Sequence, residues 1–372
     1  MKKNIAGMIF HPPNLETIDS AIRSLYPMAN TVYSRISPFR KKDMLRKIAP
    51  FRLFYLRNIQ FAQNTGIDLV GYMLPMLPEQ MLISSENAKK KINEIIHKAT
   101  NFGVDVITLG AFTSIVTNQG LDALTSNRIN ITSGNTCTAA LCIQSVLKLV
   151  RVLEIELTKC NVAIIGATGD IGSICAKVLV RKSKNVFLCS RNISDSQDWI
   201  KLLKTELGEK IVVTQDINKS IKNADIIICA TSSISPLFDI NEFLPGTIVC
   251  DLSMPPNVGK NLKELRRDIL IYEGGRAQIP NYKDIQSNVW SHLFPKNSIY
   301  GCFIESIILS LGNKLENFSI GKGNITEEKI DEIYNLGLKY DIDIADYGFE
   351  NYIYTEKDLK EFKFKRKSYV GS

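Results

Sequence analysis

The feature that most limits what this chain can fold into is a glycine-punctuated junction near its middle. Asn161–Ile165 (NVAII) is a short apolar run, followed at once by Gly166-Ala-Thr-Gly169-Asp-Ile-Gly172, and Ser173–Val180 then has helical spacing. A strand that turns through glycines directly into a helix brings backbone N–H groups and the positive end of the helix dipole to one point. That point suits a pyrophosphate, and the glycines let the backbone approach it and let the helix pack close to the strand. The spacing G-x-x-G-x-x-G is a variant of the dinucleotide fingerprint, and Gly166, Thr168, Gly169, Asp170, Ile171 and Gly172 are the candidate cofactor contacts.

Further apolar runs follow at 186–190 (VFLCS), 211–213 (IVV), 224–231 (ADIIICAT), 247–253 (TIVCDLS) and 269–275 (ILIYEGG), with a helical stretch at Trp199–Leu207. Uninterrupted apolar strands alternating with helices predict a parallel sheet covered on both faces. The second run ends Leu188-Cys189-Ser190-Arg191-Asn192, without the acidic residue that holds a ribose diol in NAD sites. Ser190 and Arg191 can instead meet a 2′-phosphate, so NADPH is the expected cofactor. Thr231 and Ser232, at the end of the fourth run, are expected to line the same crevice.

Upstream, Lys89–Phe102 has a helical period that stops at Gly103, and VDVITLG reads as a buried strand ending at Gly110. Thr136 to Glu156 forms one long helical stripe, suited to connecting two lobes. After Ser298 the chain turns helical again. The expected class is α/β: a Rossmann-type doubly wound parallel sheet over 135–297, an N-terminal α/β substrate lobe over 1–134, and a C-terminal helical segment over 298–372.

Composition narrows the function classes. With 45% apolar and 23% charged residues in 372, and a mean hydropathy of −0.02, the chain can bury a sizeable core and is not a disordered scaffold. No apolar run reaches the ~20 residues that span a bilayer. The six-residue apolar stretch before His11-Pro12-Pro13 is too short for a signal peptide, so a cytoplasmic location is expected. Eight cysteines without a C-x-x-C pair, and three histidines far apart, predict neither a disulfide framework nor a metal site.

The net charge of +8 is uneven. Arg35–Arg57 holds eight basic residues against Asp43 alone, interleaved with Phe39, Phe51, Phe54 and Tyr55, and Lys363–Lys367 (KFKRK) is a second cluster. Such a stretch is a solvated face, or a surface for an acidic protein or an anionic membrane. No nucleic-acid motif accompanies it, and nucleic acid is not an expected partner.

Four segments carry a resemblance to a family: Gly103–Val116 (GVDVITLGAFTSIV), Thr132–Ala139 (TSGNTCTA), Val162–Ser173 (VAIIGATGDIGS) and Gly301–Lys329 (GCFIESIILSLGNKLENFSIGKGNITEEK). In this order they resemble the long-chain acyl-[acyl-carrier-protein] reductases of cyanobacterial alkane biosynthesis. The resemblance implies NADPH-dependent reduction of a fatty acyl thioester, carried by acyl carrier protein or coenzyme A, to an aldehyde. It places the nucleophile on Cys302, an accompanying acid on Glu305, and substrate or nicotinamide contacts on Ser114, Asn135 and Thr136. An aldehyde-consuming partner enzyme and peripheral membrane contact through Arg35–Arg57 are further expectations. The residues themselves add that Cys302 opens a helix, whose dipole is expected to favour a thiolate. The chain departs from the family at Cys137, where relatives commonly carry histidine, and the match is thin between Asp251 and Tyr300. His292 lies outside the motif and offers no general base.

Two other readings fit the nucleotide fingerprint. One is a dehydrogenase of the shikimate or glutamyl-tRNA reductase type, although the latter places its cysteine in an N-terminal domain and this chain has no cysteine before Cys137. The other is a non-catalytic NADPH-binding or membrane-docking protein, for which replacing Cys302 would alter only local packing.

Overall fold

The computed structural model describes residues 3–123, 129–191, 193, 197–238, 240–259, 266, 268–280, 293–295, 297–350 and 352–370. His292 falls outside them. The chain divides into two compact units. The first comprises Met1–Cys137, Ala277–Asn324 and Asp331–Asp343; the second comprises Thr138–Arg276, Ile325–Ile330 and Ile344–Ser372. The segment 298–372 is therefore shared between the two units rather than standing as a region of its own.

In the first unit β1 (Ile5–Phe10) is followed by three short helices, α1 (Leu15–Leu25), α2 (Pro27–Tyr33) and α3 (Pro38–Lys47). A hairpin of β2 (Phe51–Phe61) and β3 (Thr65–Met73) leads into α4 (Pro78–Ile83) and α5 (Ser85–Phe102). Then come β4 (Val106–Leu109), α6 (Phe112–Val116) and β5 (Asn130–Thr132). The sheet order is β2-β3-β1-β4-β5, parallel except for the β2–β3 pair. Apolar residues of α5 at i, i+3, i+4 and i+7 spacing (Ala88, Ile92, Ile95, Ile96, Ala99) are fully buried and pack against Ile9, Ile107 and Leu109 of the sheet. The helix stops where Gly103 adopts φ +90° and its N–H returns to the carbonyls of Ala99 and Thr100.

Next α7 (Asn135–Val152) leads to the second sheet: β6 (Asn161–Ile165), α8 (Asp170–Val180), β7 (Asn185–Cys189), α9 (Gln197–Leu207), β8 (Ile211–Thr214), α10 (Ile217–Ile221), β9 (Ile226–Cys229), β10 (Ile248–Asp251) and β11 (Leu270–Glu273). These are the six apolar runs anticipated from sequence. They pair in the order β11-β10-β9-β6-β7-β8, parallel throughout. The order reverses between β6 and β9, which makes their carboxyl ends the switch point of a doubly wound Rossmann sheet.

Among the described residues three more helices follow: α11 (Gly301–Leu311), α12 (Glu327–Leu338) and α13 (Glu356–Val370). In α11 every residue but Cys302 is buried, and the helix packs on β4, β1 and β3. Because strand residues alternate in direction, Ile107 and Leu109 face α5 while Thr108, whose hydroxyl donates to the Cys302 carbonyl, faces α11. The first sheet thus lies between α5 and α11.

Both basic clusters prove partly structural. In the first, Lys41 pairs with Asp19 at 3.0 Å, Lys42 with Glu79 at 2.7 Å, and Arg46 and Lys47 with Asp43 at 2.7 and 2.5 Å. In the tail, Arg366 is buried and donates from Nη2 to Asp225 at 3.1 Å and from Nε to the Gly246 carbonyl at 3.0 Å, while Lys363 reaches Glu154 at 2.7 Å. KFKRK therefore fastens α13 to the second unit.

Removing a partner from a mostly buried pair leaves the other charge and a carbonyl unsatisfied. Arg366→Ala should lower the unfolding free energy by about 2 kcal/mol, seen as an earlier urea midpoint at unchanged slope. An unchanged midpoint would show that this contact does not hold α13.

Candidate active site

The parallel strands β1, β4 and β5 run in register, Ile9 beside Leu109 and Thr108 beside Thr132, so the residues just beyond them meet at one end of the sheet. Those residues are His11 after β1, Gly110-Ala111 after β4, and Ser133-Gly134-Asn135 after β5. The start of α11 enters among them with Cys302. The fit requires glycine. A Cβ on Gly134, at φ +76°, would lie 2.3 Å from the Cys302 Cα, and one on Gly110 would lie 2.2 Å from the Phe303 ring. The two sequence motifs GAFTS and TSGNT therefore converge on one cysteine across more than 160 residues of chain separation.

Cys302 is distinctive among the eight cysteines, all of which are described: seven are buried and it alone is partly exposed. The backbone N–H groups of Ala111, Cys302 and Phe303 are directed to its sulfur. Ala111 holds this orientation at φ +48°, ψ −118°, a conformation that an L-residue adopts only under strain. The expected thiolate is not what the surroundings favour. Loss of solvent outweighs the backbone donors, and the thiol is pushed up to about 12, with the negative charge of Glu305 adding to the rise.

Glu305 is completely buried, and burial raises its pKa while its donors oppose the rise. Oε1 accepts from the Thr132 hydroxyl and, at 2.6 Å, from the Ser319 hydroxyl; Oε2 accepts from the Cys137 N–H at 2.7 Å; the Gly134 N–H also reaches the carboxylate. These four donors engage both oxygens. The carboxylate binds the β5–α7 turn and the Ser319 loop to α11 rather than facing the sulfur as a base.

The remaining expected residues are distributed as follows. Thr136 is buried, its N–H 3.3 Å and its hydroxyl 2.5 Å from the Ser319 hydroxyl. Asn135 opens α7, its N–H donating to the Ser133 hydroxyl at 3.4 Å. Ser114, in α6, is 3% exposed and its hydroxyl oxygen has no hydrogen-bond partner among the described residues. An orphaned buried hydroxyl costs about 1–3 kcal/mol, a deficit that a bound ligand atom can remove.

His11 was not anticipated. Its Nε2 accepts from the Phe112 N–H at 3.3 Å, its Nδ1 lies 3.1 Å from the Pro12 carbonyl, and its ring meets the Phe112 ring edge-on. Burial lowers its pKa to about 4, so it is neutral and steadies the turn that carries Ala111. Its place at the carboxyl end of a parallel strand was the available signal.

In the second unit a cavity of about 220 Å³ lies at the switch point, lined by Gly166, Thr168, Gly169, Ser190, Arg191, Thr231 and Ser232 among others. Gly166, at φ +84°, has the Ala230 carbonyl 2.4 Å from where a Cβ would stand, and a Cβ on Gly172 would lie 2.2 Å from the Gly166 carbonyl. The turn is therefore closed to side chains and opens α8 at Asp170-Ile171. Thr168 and Ser190 hydroxyls lie 2.6 Å apart. These residues fit a dinucleotide, with backbone donors for the pyrophosphate and Ser190 and Arg191 at the adenosine side. Asn257, also missed from sequence, accepts from the Thr231 hydroxyl at 2.5 Å. Its loop is pinned by Asp251, whose carboxylate accepts from the N–H groups of Ser253, Asn257 and Val258 and is raised to about 6 by burial. No group of three or more potential metal ligands occurs among the described residues, and no helix among them is long and apolar enough to cross a membrane.

Known proteins resemble parts of this chain. The shikimate / quinate 5-dehydrogenase family matches residues 148–272. An aminotransferase PigE of Serratia is 24% identical over 316 residues, covering 83% of this chain, which spans only 36% of that protein. A long-chain acyl-[acyl-carrier-protein] reductase of Synechococcus elongatus is 28% identical over 278 residues, 71% of this chain and 79% of that one. A glutamyl-tRNA reductase of Thermoplasma volcanium is 30% identical over 113 residues, 30% of this chain and 26% of the other. These similarities support a Rossmann-type nucleotide-binding domain over the second unit, the match to the dehydrogenase family being confined to residues 148–272.

With the Cys302 thiol raised to about 12, its alkylation by iodoacetamide in the ligand-free protein should quicken about tenfold per pH unit from pH 6.5 to 9.5 without a plateau. A plateau near neutral pH would show a preformed thiolate and contradict this electrostatic account.

Proposed function

We propose that the protein reduces a long-chain fatty acyl thioester to an aldehyde with NADPH, through an acyl group held on Cys302. The observation that carries this reading is the single partly exposed thiol, placed where three parallel strands end and where two glycine turns give it room. The similarity to a long-chain acyl-[acyl-carrier-protein] reductase along most of both chains supports the same reading.

In this scheme Cys302 attacks the thioester carbonyl carbon and becomes acylated, while the departing carrier sulfur takes up the proton that Cys302 releases. NADPH, when bound, supplies the hydride. Cys302 is freed when the resulting hemithioacetal collapses to the aldehyde, and its sulfur is reprotonated. The Ala111 N–H, directed to the sulfur, and the Ser114 hydroxyl, without a partner among the described residues, are the donors proposed to serve the developing oxyanion. Glu305 and His11 act as positioning residues: one locks the β5–α7 turn against α11, the other the turn before α6. Because burial favours the protonated thiol, attack depends on losing its proton, which ends on the departing carrier sulfur, and catalysis is expected to quicken as pH rises from 7 to 9. Ser190 and Arg191, in place of an acid, favour the phosphorylated cofactor. Acyl carrier protein and acyl-coenzyme A are the candidate donors, and an enzyme that consumes aldehyde is the candidate recipient.

The test is aldehyde formation from palmitoyl-acyl carrier protein and palmitoyl-coenzyme A, with cofactor oxidation followed in parallel. Wild type should form aldehyde with NADPH, and Cys302→Ala should form none while binding NADPH normally. Arg191→Ala should weaken NADPH binding about tenfold or more with little change for NADH. Aldehyde from Cys302→Ala, or none from wild type with either donor, would overturn the proposal.

A further inference from the structure

Helices α1, α2 and α3 contain almost no buried side chain. None lies in α1 or α2, and α3 contributes only Lys41, whose ammonium sits 3.0 Å from Asp19 and 4.2 Å from the Tyr33 ring centre. Yet this is not simply a polar, solvated face. Met28 is 88% exposed, Phe39 81%, Val32 68% and Tyr26 64%. Met28 and Val32 stand one helical turn apart on the same side of α2, and the short link Ser34–Ser37 joins that helix to α3, which opens with Phe39 and Arg40. Between residues 15 and 48 the chain has seven basic residues (Arg23, Arg35, Arg40, Lys41, Lys42, Arg46, Lys47) and three acidic ones (Glu16, Asp19, Asp43). The internal ion pairs reduce this positive field but leave it net positive.

Large apolar side chains this exposed, grouped within fourteen residues, mark a surface made to be covered. Two kinds of partner suit the charge. A purely acidic protein surface would use the arginines and leave Met28 and Phe39 in contact with nothing apolar. An anionic lipid surface uses both: apolar side chains reach below the headgroups while guanidinium and ammonium groups meet the phosphates. We propose that the α2–α3 face docks the protein peripherally on anionic membranes, with Tyr26, Met28, Val32 and Phe39 as the inserted side chains and Arg35 and Arg40 as headgroup contacts. The inference does not depend on the proposed reaction. Three of the four inserted side chains, Tyr26, Met28 and Val32, precede the basic stretch singled out in the sequence.

The experiment is co-sedimentation of the full chain with vesicles of phosphatidylcholine alone and of phosphatidylcholine with about 30% phosphatidylglycerol. Wild type should pellet with the anionic vesicles and remain in solution with the neutral ones. Met28→Ser with Phe39→Ser should weaken binding about tenfold or more, and Arg35→Gln with Arg40→Gln about fivefold or more, the wild-type affinity itself falling with added salt. All four positions are exposed, so circular dichroism and NADPH binding should match wild type in both variants. Failure of wild type to bind anionic vesicles, or equal binding to neutral ones, would overturn the proposal. Binding unaffected by the serine pair would also overturn it, since charge alone would then account for the interaction. Capture by an acidic acyl carrier protein in place of vesicles, lost in the same variants, would assign the face to a protein and refute membrane docking.

Discussion

The first unit depends on one buried carboxylate. Glu305 has no solvent, and its charge is tolerable only because hydroxyls of Thr132 and Ser319 and backbone N–H groups of Gly134 and Cys137 converge on it. Those donors come from the end of β5, the start of α7 and the loop beyond α11. Satisfying the carboxylate therefore draws residues 132–137 and the loop at Ser319 onto α11, and it fixes Gly134 against the backbone of Cys302. The same anion disfavours a thiolate three residues away. Burial raises the Cys302 thiol first, and the carboxylate that fixes its position adds to the rise.

A similar device operates in the second unit. Asp251, buried at the end of β10, gathers three backbone donors and sets the loop that presents Asn257 to Thr231. In both units the groups of interest lie beyond the carboxyl ends of parallel strands. There the helices that follow turn their N–H groups outward, and loop residues are free of the ladder.

The second sheet was legible because its strands are uninterrupted apolar runs and its glycines have a steric purpose that reads directly from spacing. Six strands and the Gly166–Gly172 turn follow from local pattern alone. The first unit was harder. Its sheet takes β1 and β4 from places a hundred residues apart, and nothing in the local sequence of GMIFH says that His11 will stand beside Ala111. Glu305 entered only through the resemblance, as an acid accompanying Cys302. Periodicity could not reveal that its oxygens would be consumed by Thr132, Ser319 and backbone donors from outside that helix. Cys302 does open its helix and the N–H groups there favour a thiolate, but they are outweighed for a related reason: a dipole is a local property, whereas desolvation is set by everything packed around the group. Likewise the basic stretch read as eight cations against Asp43 alone, but Asp19 and Glu79 are supplied from outside it.

The central claim is that Cys302 carries the acyl group. The most direct measurement is intact-protein mass spectrometry, with peptide mapping, after mixing the wild-type protein with palmitoyl-coenzyme A or palmitoyl-acyl carrier protein in the absence of NADPH. The account predicts a single added palmitoyl group on the peptide containing Cys302, removed by hydroxylamine and absent in Cys302→Ala. An acyl group on another residue, or no adduct under conditions in which aldehyde forms once NADPH is added, would contradict it.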